Sequence, residues 1–171
     1  NKDFVDASFA WAEKKGVLIT MAAGNDAIES KKEERFPNPY YHAQNDRKLN
    51  NVITVGASNF VKTPILAGNV DPAYRKITLG GYSTLRAGFS NDSKQDVDVF
   101  APGTFIYATY SESATENNSY SFLQGTSMAS PVVVGVEALV LTQFPALKNK
   151  ASELRKIILK ATRKYNVPVY I

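Results

Sequence analysis

The order of apolar and polar positions along the chain predicts helices that alternate with buried strands. Residues Asp3 to Lys15 have helical spacing, and Gly16 follows where a left-handed residue can end a helix. The next run, GVLITMAAG, is almost continuously apolar, which is typical of a strand covered on both faces. NNVITVGAS and DVDVFAPG predict two further strands. This order indicates an α/β fold with a mostly parallel sheet. The stripe of the first helix expected to face inward comprises Phe4, Val5, Ser8, Phe9, Trp11 and Ala12.

Two helices are predicted near the end of the sequence. Ser127 to Phe144 is apolar almost all round, which is typical of a helix buried in a core. Pro131 is expected in its opening turn, where a missing N–H does little harm, and Pro145 ends it. The last helix covers about 152–164, with its lysines and arginines facing out. Its expected inner stripe comprises Leu154, Ile157, Ile158 and Ala161.

Three polar or irregular segments separate these elements. Ala27 to Leu49 is predicted to be a long surface loop. Phe60 to Tyr82, with two prolines and several glycines, reads as an insertion to which no function is assigned. Ser111 to Ser119 predicts an exposed turn between TFIYATY and YSFLQG.

Composition narrows the class of protein. A chain of 171 residues that is 44% hydrophobic and 21% charged is expected to form one globular domain. Much of the +4 net charge lies on the last helix without interleaved aromatics, which indicates a solvated face rather than a nucleic-acid site. The absence of cysteine excludes disulfides, thiolate metal sites and a cysteine nucleophile.

Neither a membrane span nor a metal loop is predicted. The longest apolar run, Val132 to Leu141, contains Glu137 and is shorter than the roughly 18 residues that a span needs. The loop carboxylates Asp46, Asp71 and Asp92 do not have the spacing of a calcium loop.

The segment LQGTSMASPVV, residues 123–133, carries the densest chemical signal. Gly125 allows a sharp turn, and Ser127 then lies in the first turn of a helix, where free N–H groups and the helix dipole favour negative charge. That setting suits an acyl-transfer nucleophile, whose intermediate carries an oxyanion. Serine is also a favoured helix cap, so the local pattern leaves both interpretations open.

The full string GTSMASP resembles the nucleophile motif of the subtilisin-like serine proteases, the subtilases. Three further segments resemble family segments in the right order: AAGND, VITVGAS and FAPGTFIYAT. The resemblance covers nearly the whole chain. It implies a three-layer subtilisin-like α/β fold, of which this chain holds the C-terminal portion.

The resemblance also assigns roles. Ser127 would be the nucleophile of a serine endopeptidase, and Asn25 would donate its side-chain amide to the oxyanion. Ala22, Ala23 and Gly24 would form one wall of the primary specificity pocket, with room for a sizeable side chain. The following aspartate, at position 26, would lie near the mouth and favour a basic group.

The family pattern is incomplete in this sequence. Subtilases carry their catalytic aspartate and histidine before the oxyanion asparagine, but only 24 residues precede Asn25. Asp3 and Asp6 lie on a predicted helix outside any aspartate motif, and His42 follows Asn25 in a predicted loop, as a surface or packing histidine. Val132 stands where many subtilases have a histidine that is not the catalytic base.

Residues 1–171 are therefore expected to be the C-terminal part of one subtilase catalytic domain, inactive without the part that carries the aspartate and histidine. The alternative is a non-catalytic subtilase-fold protein that binds peptides or protein partners. A third reading is a transferase or hydrolase that uses the same fold for another acyl group.

The expected partners follow from this interpretation. They are protein or peptide substrates, the N-terminal half of the domain, and further copies of the chain that pair through an exposed sheet edge. No nucleic acid, membrane or cofactor is expected. The resemblance by itself is compatible with calcium, for which the sequence shows no site, and it implies a secreted or cell-envelope location.

Overall fold

The computed structural model describes residues 2–30, 49–59, 86–93, 96–110 and 120–162. The predictions on His42, on the 60–82 insertion and on the 111–119 turn lie outside them. The helices are α1 (Lys2–Lys14), α2 (Thr126–Gln143) and α3 (Ala151–Ala161), with a 3₁₀ turn at Pro145–Leu147. The strands are β1 (Ile19–Ala22), β2 (Glu29–Ser30), β3 (Val52–Ser58), β4 (Asp92–Ser93), β5 (Val99–Pro102), β6 (Ile106–Thr109) and β7 (Tyr120–Leu123).

The main sheet has the strand order β1-β3-β5, and both pairings are parallel. Ile19 pairs with Val52, and Val55 pairs with both Ala22 and Val99. The middle strand β3 is buried from Val52 to Ala57. The predicted parallel α/β sheet is therefore confirmed, and the predicted left-handed turn after α1 is also present, with φ 68° at Gly16.

Helix α2 crosses all three strands of this sheet, and α3 packs beside it. The core they form with the sheet consists of small and branched side chains. Its buried members are Ile53, Val55, Ala57, Ala87, Ala101, Ala129, Val133, Leu154 and Ile158. Both helices contribute residues four positions apart, because only one stripe of a helix can face a sheet.

Burial of α2 on all sides was a wrong prediction. Its buried residues are Thr126, Ala129, Val133 and Glu137, whereas Leu139 is 71% exposed. In α1, Phe4 and Trp11 are likewise mostly exposed although they were expected to face inward. The strand β1 is half-buried throughout. In the two helices, the exposed apolar side chains lie on faces that the described elements do not cover.

Two details of the helices also differ from the predictions. Pro131 lies inside α2, beyond the opening turn, so the Ser127 carbonyl lacks the N–H that would bond to it in a regular helix. In α3, Ile157 and Ala161 are exposed, and Arg155 reaches back to the sheet instead of facing out.

By length and composition α2 is long and apolar enough to cross a membrane, and it is the one helix of the described residues with this property. Its 18 residues exceed the apolar run expected from the sequence. The core helix of a soluble protein has the same composition, and α2 packs on β1, where Thr20 donates a hydrogen bond to Glu137.

Candidate functional site

The candidate site lies at the carboxyl end of β1, where the start of α2 meets the chain leaving the strand. Gly24 turns the chain with φ 97°, and Gly125 precedes the first residue of α2. Crevices beyond the carboxyl ends of parallel strands are the usual binding sites of open α/β sheets. The two segments that the sequence singled out are therefore neighbours.

Asn25 and Thr126 join these segments directly. The Asn25 Oδ1 atom accepts hydrogen bonds from the Thr126 backbone N–H and from the Thr126 hydroxyl, both at 2.9 Å. The Gly24 N–H donates to the same hydroxyl oxygen at 3.1 Å. Because both bonds go to Oδ1, the orientation of the amide is fixed and its Nδ2 faces the other way.

The Asn25 Nδ2 group faces a small space that Gly125 leaves open. A Cβ atom at Gly125 would lie 3.2 Å from Nδ2 and 3.6 Å from the Ser127 backbone nitrogen. Gly125 has φ 153°, which L side chains rarely adopt. Two N–H donors thus border one space beside the helix terminus, an arrangement that can bind a developing oxyanion.

Ser127 is exposed and occupies the second position of α2. The helix begins at Thr126, and its cap residue is Gly125, without a side-chain hydrogen bond. The interpretation of Ser127 as a helix cap is therefore wrong. The Met128 N–H is bonded to the Gly125 carbonyl, whereas no acceptor in the described part of the chain engages the Ser127 N–H. That N–H is one of the free donors of a helix start.

The residues predicted to line a specificity pocket precede Asn25. Ala23 is fully buried and its N–H is bonded to the Val55 carbonyl at 2.9 Å, while Ala22 and Gly24 are half-buried. Their position at the strand end, next to Asn25, is the one expected from the sequence. The pocket itself stays a prediction, and the exposed Asp26 follows it.

Sequence reasoning missed Asn91, which is 3% exposed and contacts the same segment. Its Oδ1 accepts the N–H groups of Asp26 and Ile28, each at 3.0 Å. Its Nδ2 donates to the Ala23 carbonyl at 3.0 Å and to Asp26 Oδ2 at 3.1 Å. No periodic pattern marks an asparagine in the turn GFSND, so only the folded chain reveals these contacts.

The described residues contain neither a histidine base nor a cluster of three metal-ligating side chains. Burial raises the pKa of Glu137 above its ordinary value of 4.5, while the hydrogen bond from Thr20 opposes that shift. Glu137 lies ten positions after Ser127 in α2, about 15 Å along the helix, so it cannot act as the base of Ser127. Asp92, one of the loop carboxylates without calcium-loop spacing, forms an ion pair with Arg86, with 4.0 Å between Asp92 Oδ2 and Arg86 Nε.

Comparison with known proteins identifies the family. The profile of the subtilase family matches residues 1–169. The chain is 32% identical over 155 residues to Subtilisin DY of Bacillus licheniformis, covering 90% of this chain and 41% of that protein. It is 31% identical to Alkaline protease 1 of Aspergillus clavatus, covering 88% of this chain and 28% of that protein. The chain thus spans less than half the length of these relatives.

A solved structure gives the same fold. The structure of the patellamide maturation protease PatG matches 97% of this chain and 41% of its own, with a TM-score of 0.60 and 19% identity. The predicted subtilisin-like α/β fold is therefore confirmed. The profile match over residues 1–169 establishes that the chain belongs to the subtilase family, whose relatives named here are serine proteases.

Proposed function

We propose that residues 1–171 are the C-terminal part of one subtilase catalytic domain, and that the complete domain is a serine endopeptidase. The Ser127 Oγ attacks the scissile carbonyl carbon, and a histidine of the N-terminal part, oriented by an aspartate, takes the Ser127 proton and gives it to the leaving amine. The oxyanion accepts hydrogen bonds from Asn25 Nδ2 and from the Ser127 N–H. Water then hydrolyses the acyl-enzyme.

One observation carries this proposal: the double hydrogen bond from Thr126 to Asn25 Oδ1, which turns the Asn25 Nδ2 group toward the space beside Ser127. A serine and an asparagine brought together only for stability would not need a glycine that keeps the space between their donors open. Ala22, Ala23 and Gly24 then form one wall of the pocket for the side chain before the cleaved bond.

The partners of the proposed enzyme are protein or peptide substrates and the N-terminal part of its own domain. Exposed apolar side chains on α1 and α2, such as Trp11 and Leu139, suit coverage by that part. Isolated residues 1–171 should be inactive and should self-associate through these surfaces and the sheet edge. The extracellular basic protease of Dichelobacter nodosus, 31% identical, supports secretion. Calcium remains an expectation from the family alone.

Labelling by a fluorophosphonate tests the proposal on the complete natural polypeptide that contains this chain. Wild type should be labelled, and Ser127→Ala should abolish labelling because the probe reacts with an activated serine. Ser130→Ala, one turn further along the same helix, is the matched control and should be labelled like wild type.

Absence of label on the wild type, or label that survives Ser127→Ala, would contradict the proposal. It would favour the alternative, a non-catalytic subtilase-fold protein that binds peptides or partners.

Steady-state kinetics give a second measurement. The kcat of Ser127→Ala should be about 10⁶-fold below that of wild type, the size of the loss measured for subtilisin itself.

A further inference from the structure

The segment that carries Asn25 leaves β1 along an irregular path. Gly24 has φ 97° and Ala27, a non-glycine residue, has φ 54°. Asn25 itself is exposed. Thr126 fixes the end of the Asn25 side chain and accepts the Gly24 N–H, so the position of the remaining backbone around Asn25 depends on other contacts.

Asn91 contacts this backbone on both sides of Asn25, in addition to the bonds from the Ala23 N–H to Val55 and from the Ala27 N–H to Phe89. On the preceding side, its Nδ2 holds the Ala23 carbonyl, and its backbone N–H donates to the Gly24 carbonyl at 3.0 Å. On the following side, its Oδ1 holds the N–H groups of Asp26 and Ile28. Every donor and acceptor of its side chain is used on this one segment.

The fit is specific to asparagine. Two donors and two acceptors are required within a short planar group, which an amide supplies and a carboxylate does not. An aspartate would also set its charge against Asp26 Oδ2, which now lies 3.1 Å from Asn91 Nδ2. The close approach needs a glycine too, because a Cβ on Gly24 would lie 2.5 Å from Nδ2.

Asn91 is itself anchored to the sheet. The hydroxyl of Ser90 donates to the Asn91 carbonyl at 3.1 Å and accepts the Ala57 N–H at 2.9 Å. The central strand β3 thereby supports Asn91, and Asn91 supports the chain around Asn25. A buried side chain in a saturated network of this kind is rigid.

We propose that Asn91 is a positioning residue that sets the Asn25 amide for oxyanion binding. The inference rests on the proposed function. In this segment Asn91 makes its hydrogen bonds to Ala23, Gly24, Asp26 and Ile28 and none to Asn25, so it acts through the Ala23–Ile28 backbone. Removing it should lower kcat with little change in KM, since a misplaced donor weakens binding of the transition state more than of the substrate.

A double-mutant cycle on the complete natural polypeptide tests this, with a peptide anilide as substrate. Asn25→Ala should lower kcat by about 10²–10³-fold, the loss measured for a subtilisin that lacks its side-chain donor. Asn91→Ala should lower kcat by about 10-fold or more, up to the 10²-fold that a 1 Å misplacement costs. The double variant should be no slower than Asn25→Ala, because a positioning residue has nothing left to position.

Asn51→Ala is the matched control. Asn51 is also a buried asparagine whose Nδ2 binds backbone carbonyls, those of Phe9 and Val17, but it precedes β3 at the other end of the sheet. It should lower the thermal midpoint without changing kcat. If Asn91→Ala does not fold, Asn91→Asp replaces it, because the carboxylate fills the same volume and keeps both acceptor bonds while it loses the donors and repels Asp26 Oδ2.

The outcomes separate the two claims. Additive losses in the cycle, an unchanged kcat in Asn91→Ala, or an equal kcat loss in Asn51→Ala would overturn the positioning role while leaving the proposed function intact. An unlabelled wild type, or an Asn25→Ala variant as fast as wild type, would overturn the proposed function and the positioning role with it.

Discussion

The two ends of the main sheet use similar polar side chains for different purposes. At the amino end, Arg155 of α3 donates to the Val52 carbonyl and pairs with Asp98, which in turn accepts the Thr54 N–H at 2.9 Å. At the carboxyl end, the bonds of Asn91 and Thr126 converge on the chain around Asn25. The bonds at the amino end stabilise the packing of α3 on the sheet. The bonds at the carboxyl end hold the Asn25 amide beside the space that Gly125 leaves open.

Two buried asparagines, one at each end of the sheet, show that burial alone does not distinguish a stabilising residue from a positioning one. Asn51 and Asn91 are both buried and both bind backbone carbonyls. Only Asn91 binds the backbone on both sides of an exposed side chain that is itself held in one orientation, that of Asn25. A buried polar residue therefore indicates function when it fixes an exposed neighbour, and stability when it fixes only the core.

The largest effect is expected when a side chain fills the space between Gly125 and the Asn25 amide. Gly125→Ala would place a methyl group 3.2 Å from Asn25 Nδ2 and would force alanine to φ 153°. We expect kcat of the complete enzyme to fall by about 10²-fold, because the oxyanion loses room and both donors shift. Steady-state kinetics on the peptide anilide measure this.

Gly88→Ala is the control for that substitution. Gly88 is exposed in a turn, and a Cβ there would meet nothing within 4 Å. Its kcat should equal that of wild type, and its stability should change by no more than about 0.5 kcal/mol. If Gly125→Ala has the kcat of wild type, the space beside Gly125 does not hold the oxyanion.

At the amino end the expected effect is on stability alone. Arg155→Ala removes the guanidinium that binds the half-buried carboxylate of Asp98 and the Val52 carbonyl. We expect a loss of about 2 kcal/mol in the free energy of unfolding, below the 3–5 kcal/mol of fully buried pairs because both side chains are partly solvated. Urea unfolding measures it, with kcat unchanged. Lys156→Ala changes the exposed neighbour of Arg155 and should leave the free energy of unfolding unchanged. A lower kcat in Arg155→Ala would contradict a purely stabilising role of the amino end of the sheet.

The smallest effect concerns Glu137, midway along α2. Burial raises its pKa, so the folded protein binds this proton more tightly than the unfolded chain does. The favourable contribution is present below the unfolded pKa and is lost as pH rises through the folded pKa. Glu137→Gln should therefore gain stability relative to wild type as pH rises from about 4 to 8. Urea unfolding midpoints of Glu137→Gln and wild type across that range measure this gain. A difference between the two midpoints that stays constant with pH would contradict the raised pKa of Glu137.

Much of the fold could be predicted from local patterns. Continuous apolar runs gave the parallel strands β1, β3 and β5, and the glycine after α1 gave its end. The proximity of Asn25 and Ser127 was implied by the resemblance to the subtilases, and in the structure the carboxyl end of β1 meets the start of α2. The exposure of α2 did not follow, since apolar periodicity identifies a face without saying what covers it.

The sequence alone determined the motifs: GTSMASP, AAGND and their order carry the family, because these residue types are needed at fixed short spacing. Three further features depend on the folded chain: which atom of Asn25 faces the space beside Gly125, the inward turn of Arg155, and the bonds from Asn91 to the Ala23–Ile28 segment. These are hydrogen bonds between residues 57 to 103 positions apart in the chain. Hydrogen bonds depend on distance and direction in three dimensions, and no local pattern encodes either.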